Sequence, residues 1–300
     1  MKHWKKLLSL GLSAALSLSL LAACSGGGTE TTAPESTTPA EETVPAETTP
    51  AETGAADLSS ALVEDGKLIM ATNCQFPPYE MVADGESGPY VGEDGVSYEG
   101  IDVEIALALA DKLGLELIID DMDFDSALMA VQNNAADVVL AGLSYREDRD
   151  EVMDFTTKYA TGVQVVIVKE GSDVTMDNLG DGKLIGTQRG TTGYIYASDT
   201  PENGGYGEEN VMAYDNGALA VQALLGGSID AVIIDQGPAE SYVAANEGLT
   251  ILPGNWVEED YCIAVDEGNT VLLDAVQAAL DELQADGTVD EIVAKYINAE

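Results

Sequence analysis

Strand-like and helix-like stretches alternate twice along this chain, and that rhythm constrains its fold more than any other feature. Residues 67–72 read as a buried strand. Ile101, Ile105, Leu109 and Leu113 then recur every four residues, with Asp102 near the start and Gly114 at the stop. That spacing predicts a helix with an acidic first turn and a glycine terminator. Residues 115–119 follow as a strand, 125–132 as a helix and 137–141 as a strand, a βαβαβ unit that implies a parallel sheet. The pattern recurs with strands at 184–187, 211–214 and 231–234 and helices at 192–197 and 218–225. Ala130-Val131-Gln132 leads into Asp137-Val138-Val139-Leu140 much as Ala220-Val221-Gln222 leads into Asp230-Ala231-Val232-Ile233. Two α/β lobes are the simplest arrangement. A strand at 261–265 and helices at 270–285 and 289–297 complete the chain.

The N-terminal segment has a different make-up. Lys2, Lys5 and Lys6 precede an apolar run at 7–20, and Leu21-Ala22-Ala23-Cys24 follows. A basic start, a short apolar run and small residues before a cut describe a secretory signal over residues 1–23. The run is short for a membrane span. The Leu-Ala-Ala-Cys ending resembles the lipobox of bacterial lipoproteins, which implies a lipid on Cys24 and cleavage just before it. Residues 24–56 are filled with Thr, Glu, Pro, Ala, Ser and Gly, and contain no aromatic residue. So little apolar area cannot offset the entropy of ordering, so this stretch is expected to be a disordered tether.

Charge and histidine content narrow the chemistry. Lys+Arg 12 against Asp+Glu 54 gives a formal net charge of −42, which repels nucleic acid. The one histidine, His3, lies in the segment expected to be removed. Without it, Ser/His/Asp triads and His-containing zinc sites are unavailable, and neither metal nor cofactor is expected. Cys74 and Cys262 form no disulfide framework. Free, partly buried thiols are expected, with a bond between them left open.

In open α/β sheets, ligands bind beyond the carboxyl ends of the strands. Asn73 and Phe76 follow the first expected strand, Phe124 the second, and Gly142, Ser144 and Arg149 the third. In the second half Arg189 and Thr192 follow one strand and Asp235 another. The chain has three arginines, Arg146, Arg149 and Arg189, all just past strand ends. A guanidinium there suits a carboxylate held by two parallel hydrogen bonds. Arg146 is expected to pair with a neighbouring acid, and Arg149 to be either such a pair or a ligand clamp. Ser144-Tyr145-Arg146-Glu147 has the form of a capping box, which predicts a helix beginning at Ser144. Asp235 offers a carboxylate to an ammonium, or is one more solvated acid.

The order of motifs resembles the family 3 solute-binding proteins of bacterial polar amino-acid ABC importers, such as the glutamine- and histidine-binding proteins. Residues 67–80, 100–114, 137–156, 190–192 and 230–235 carry the resemblance, which extends from about residue 65 to the C-terminus. It implies a two-lobed periplasmic-binding-protein type II fold, each lobe a mostly parallel sheet flanked by helices, with ligand in the interlobe cleft. The first lobe would comprise residues 57–162 and 259–300 and the second 163–258, joined by crossings near 161–164 and 258–261. By the same resemblance, Arg149 would clamp the α-carboxylate with help from Ser144 and Thr192. Asp235 and the Gly142 carbonyl would take the α-ammonium, and Phe76 and Phe124 would sandwich the side chain. Asn73 stands where several relatives carry an Asp, which speaks against a basic ligand; Arg189 leaves an acidic or strongly polar one open. Residues 85–99 look longer than the family's usual hairpin. The implied protein is a monomeric, lipid-anchored extracytoplasmic receptor that closes on an amino acid and delivers it to an ABC permease and its ATPase. A dehydratase-like enzyme on the same scaffold and a ligand sensor are the alternatives.

Overall fold

The computed structural model describes residues 58–297 apart from Asp84, Glu86, Ser87, Glu93 and Asp94. The expected signal segment, Cys24 and the tether lie outside the described residues. In chain order the first lobe opens with β1 (Lys67–Thr72), β2 (Gln75–Phe76), β3 (Glu80–Val82), β4 (Tyr90–Val91), β5 (Ser97–Glu99) and α1 (Ile101–Leu113). It continues through β6 (Glu116–Asp121), α2 (Phe124–Gln132), β7 (Val138–Val139) and β8 (Met153–Phe155). The long β9 (Ala160–Lys169) leads into the second lobe, made of β10 (Ile185–Gln188), α3 (Thr192–Ser198), β11 (Val211–Tyr214), α4 (Gly217–Gly226), β12 (Ala231–Asp235), α5 (Gln236–Ala245) and β13 (Leu249–Ile251). The chain returns along β14 (Val257–Tyr261) to β15 (Ala264–Asp266), α6 (Thr270–Ala285) and α7 (Thr288–Ile297).

Each lobe is built on the same three parallel strands, in the spatial order second, first, third. The first sheet runs β6-β1-β7 and is extended by β15 and β8. The second runs β11-β10-β12 and is extended by the antiparallel β9, which also pairs with β13. A strand covered on both faces must be apolar on both, and β1 buries Leu68, Met70 and Ala71 consecutively enough to meet that demand. α1 lies on this sheet through Ile101, Ile105 and Leu109, each fully buried. Burial of such a side chain is worth about 1.5–3 kcal/mol. Gly114 then ends α1 in the left-handed conformation, its N–H bonding back to the carbonyls of Ala110 and Asp111. α6 and α7 pack against α1 and against each other, so the chain finishes in the lobe where it began.

Several expectations need correcting. No helix starts at Ser144: residues 147–152 form successive turns, and the Ser144 hydroxyl turns toward Glu259 instead of capping its own backbone. The strand expected at 261–265 is two strands, because Tyr261 pairs with Ala160 while Ala264 pairs with Val139 and Phe155 in the first sheet. Residues 85–99 contribute β4 and β5, which extend a small antiparallel sheet of order β2-β3-β5-β4. Alternation alone marked neither that sheet nor β9, whose ten residues are apolar on both faces toward their end.

β9 and β14 cross between the lobes side by side, Gln164 opposite Val257 and Ala160 opposite Tyr261. Gly162 sits in the middle of this ribbon. A β-carbon there would collide with the ring of Tyr261, which is fully buried against it.

Candidate ligand site between the lobes

The carboxyl ends of β1, β7, β10 and β12 converge on one narrow cavity between the lobes. From the first lobe, Asn73 and Phe76 follow β1, Phe124 opens α2, and Gly142, Ser144 and Arg149 follow β7; all line it. From the second lobe come Thr192, the first residue of α3, and Asp235, the last of β12. Gly142 adopts φ +53°, and a β-carbon on it would lie 2.7 Å from the Phe76 ring, so a side chain there would displace that wall.

Arg149 is only 7% exposed. Its two terminal nitrogens donate to backbone carbonyls, Ser144 at 2.7 Å in its own lobe and Gly190 at 2.9 Å in the other. The guanidinium lies 5.7 Å from the centre of the Phe124 ring. No carboxylate among the described residues comes within ion-pair distance of it, in contrast to Arg146, which pairs with Asp148 at 2.7 Å. Burial, then the nearby Arg146, lowers the Arg149 pKa to about 10, so the group stays charged at neutral pH. It is a buried cation whose hydrogen bonds are made to neutral groups, and a carboxylate is what such a site lacks.

Asp235 is the mirror case. Its carboxylate is buried, accepts a hydrogen bond from the Tyr261 hydroxyl and has no cation within ion-pair distance among the described residues. Burial raises its pKa to about 7; the Tyr261 bond opposes the rise and Glu259 adds to it. Two further acids lie near this end. Glu80 lines the cavity and is fully buried, with both carboxylate oxygens lacking a donor. Asp102 beneath it accepts from the Gly142 N–H at 2.8 Å and the Tyr159 hydroxyl at 2.9 Å. Burial first, and then Asp102, hold Glu80 well above the usual carboxylate range.

The far wall is made of amides. Gln188 donates to the Asn73 side-chain carbonyl at 3.1 Å, and Asn73 donates to the Met122 carbonyl at 2.8 Å. Arg189 does not belong to this wall. Its side chain is 54% exposed and 3.6 Å from Asp215, in a separate recess beside Asp123 and Asp125. Successive residues at the end of a strand point to opposite sides, so with Gln188 facing the cavity Arg189 must face away. Cys74 and Cys262 are free and buried.

Sequence reasoning places Gln188 at a strand end without giving it a role, and missed Glu80, Tyr261 and Glu259. The last two lie on β14, which has no signature before its partner strand is known. Glu80 ends a recognisable aromatic loop, and its neighbours Pro77, Pro78 and Tyr79 were the available signal.

A pair of α/β lobes with unmatched charges of opposite sign facing one interlobe cavity is a solute-binding architecture. This chain belongs to the bacterial extracellular solute-binding proteins of family 3, whose model matches residues 68–299. That is a family of binding proteins, not of enzymes. The arginine-binding extracellular protein ArtP of Bacillus subtilis is 29% identical over 237 residues, 78% of this chain and 87% of the relative. A probable histidine-binding protein of Neisseria gonorrhoeae is 27% identical over 308 aligned positions, 100% of this chain and 97% of the relative. A solved ancestral arginine-binding protein bound to glutamine is 33% identical, with a TM-score of 0.67, and covers 77% of this chain and 98% of its own.

Proposed function

We propose that this protein is a lipid-anchored, extracytoplasmic receptor that captures a polar L-amino acid between its lobes and hands it to an ABC permease and its ATPase. One observation carries the reading: Arg149 and Asp235 are buried, opposite in charge, contributed by different lobes and without an ionic partner among the described residues. A zwitterion brings a carboxylate to the first and an ammonium to the second. Phe76 and Phe124 would flank its carbon chain. The relatives' names mention arginine, histidine and glutamine. Here the wall of Asn73 and Gln188 is amide, which suits a hydrogen-bonding side chain without demanding a positive charge. Arg189 lies outside the cavity, which removes the reason for expecting an acidic ligand.

Capture would proceed by rotation of residues 163–258 against 57–162 and 259–300 about the paired crossings. Cys24 would hold the protein to the membrane through its lipid, residues 24–56 would act as the leash, and the receptor would work as a monomer. A thermal-shift screen of the standard amino acids and cystine, followed by calorimetry on the hits, tests the reading. The expected result is micromolar or tighter binding of at least one polar amino acid, lost in Arg149→Ala. Binding that survives Arg149→Ala unchanged overturns the assignment. Loss of lipid labelling in Cys24→Ala tests the anchor separately.

A further inference from the structure

We propose that Glu259, a further carboxylate between the lobes, is an interlobe clasp that favours their closed arrangement. This rests on the receptor reading above but on different atoms. Glu259 lies on β14, the return crossing, with its residue only 9% exposed. One of its oxygens accepts three hydrogen bonds: from Ser144 of the first lobe at 3.3 Å, from Thr192 of the second at 2.6 Å, and from Gln164 of the outgoing crossing at 2.9 Å. Gln164 also donates to the Thr192 hydroxyl at 2.6 Å, and the Tyr196 phenol lies against the same carboxylate. Arg146 of the first lobe stacks over the Tyr196 ring at 5.0 Å. Donors from both lobes and from the crossing therefore meet at a single acceptor, a coincidence that exists only while the lobes are together.

Proton counting makes the assignment specific. Ser144 and Thr192 each have one hydroxyl proton, and both protons point at Glu259. They are not free to serve a ligand carboxylate at the same time. The guanidinium of Arg149 is then the charged side-chain donor left for that group, together with backbone N–H groups. Glu259 thus divides the work: it closes the cleft using the hydroxyls, and leaves the arginine to recognise the ligand. A closed state favoured in advance also raises apparent affinity, because less of the binding free energy is consumed in closing.

The test uses the full chain as wild type, Glu259→Gln and Glu259→Ala, with Tyr196→Phe as a milder variant should either fail to fold. Small-angle scattering of ligand-free protein reads closure; the N-terminal segment is common to all samples. Both Glu259 variants are expected to have a larger radius of gyration than wild type, and Tyr196→Phe a smaller increase. Calorimetry with the amino acid found by screening is expected to show at least a tenfold weaker Kd in the Glu259 variants, with unchanged scattering once ligand is saturating. Superimposable ligand-free curves for wild type and every folded variant overturn the clasp. So does a weakened Kd with unaltered ligand-free curves, which makes Glu259 a ligand contact instead. The scattering arm needs no ligand, so it stands even if no amino acid binds.

Discussion

Gln188 and Asn73 meet across the cleft through a side-chain hydrogen bond of 3.1 Å, one amide from each lobe. Replacing Asn73 by Asp would set a carboxylate beside the Gln188 donor in a buried wall. An opposite charge on the ligand side chain then becomes the natural partner. Asn73→Asp is expected to shift preference toward arginine or lysine over glutamine by tenfold or more, read by competition calorimetry. An unchanged preference order would show that this wall does not touch the ligand side chain.

Asp235 carries the other half of the recognition. Removing one member of a buried charge pair costs roughly 2–5 kcal/mol, largely because the partner is left unmatched. Asp235→Ala is expected to lose that much binding, with Arg149→Ala comparable. The pair of half-buried Lys67 and exposed Glu64, 2.6 Å apart, provides the control. Glu64→Gln should leave affinity unaltered, and stability within about 0.5 kcal/mol.

Binding should also depend on pH. Burial raises the Asp235 pKa from its ordinary 3.8 to about 7 in the folded protein. The folded state therefore holds the proton more tightly, and the stability this confers fades as pH rises from about 4 to about 7. An ammonium ligand demands the ionised form, so below pH 7 binding must release a proton. Calorimetry at pH 6 in buffers of different ionisation enthalpy should detect up to about one proton released. Asp235→Asn should remove that release, and a wild-type affinity flat across this range would contradict the linkage.

Glu80 and Asp102 allow a related test on the empty protein. A carboxyl held well above its ordinary range by burial destabilises the fold as rising pH draws its proton away. Glu80→Gln keeps the shape and the hydrogen-bonding of the protonated acid without the titration. Its Tm should fall less steeply with pH than that of wild type, and it should fold at least as well at neutral pH. A markedly unstable Glu80→Gln would mean that Glu80 is ionised in the native state.

Gly162→Ala probes the crossing. The new methyl group would run into the buried Tyr261 ring, and overpacking of this kind typically costs about 1–3 kcal/mol. Because Tyr261 holds Asp235, the substitution is expected to weaken ligand binding as well as lower the denaturation midpoint. Loss of stability with intact affinity would uncouple the two.

Much of this was legible along the chain. The four-residue period of Ile101, Ile105 and Leu109 and the glycine at 114 predict α1, and β1 and β11 have the bounds their apolar runs suggest. Arg149, Asp235 and the two phenylalanines could be singled out because strand ends are where such folds gather ligands. Ser144 misled, because its capping-box pattern is local while its hydroxyl is drawn to an acid 115 residues away. Arg189 misled too, since one step along a strand reverses the side on which a residue lies.

The sequence by itself determined the alternation of strands and helices, the doubled lobe and the short roster of groups able to hold a zwitterion, because these follow from periodicity and from residue chemistry at neighbouring positions. Only the tertiary structure decided that Arg149 and Asp235 lack ionic partners among the described residues, that Glu80 is stripped of water, and that Glu259 gathers donors from both lobes. Such properties belong to groups remote along the chain: charge compensation and desolvation depend on which surfaces meet, and the pairing of β9 with β14 brings them together.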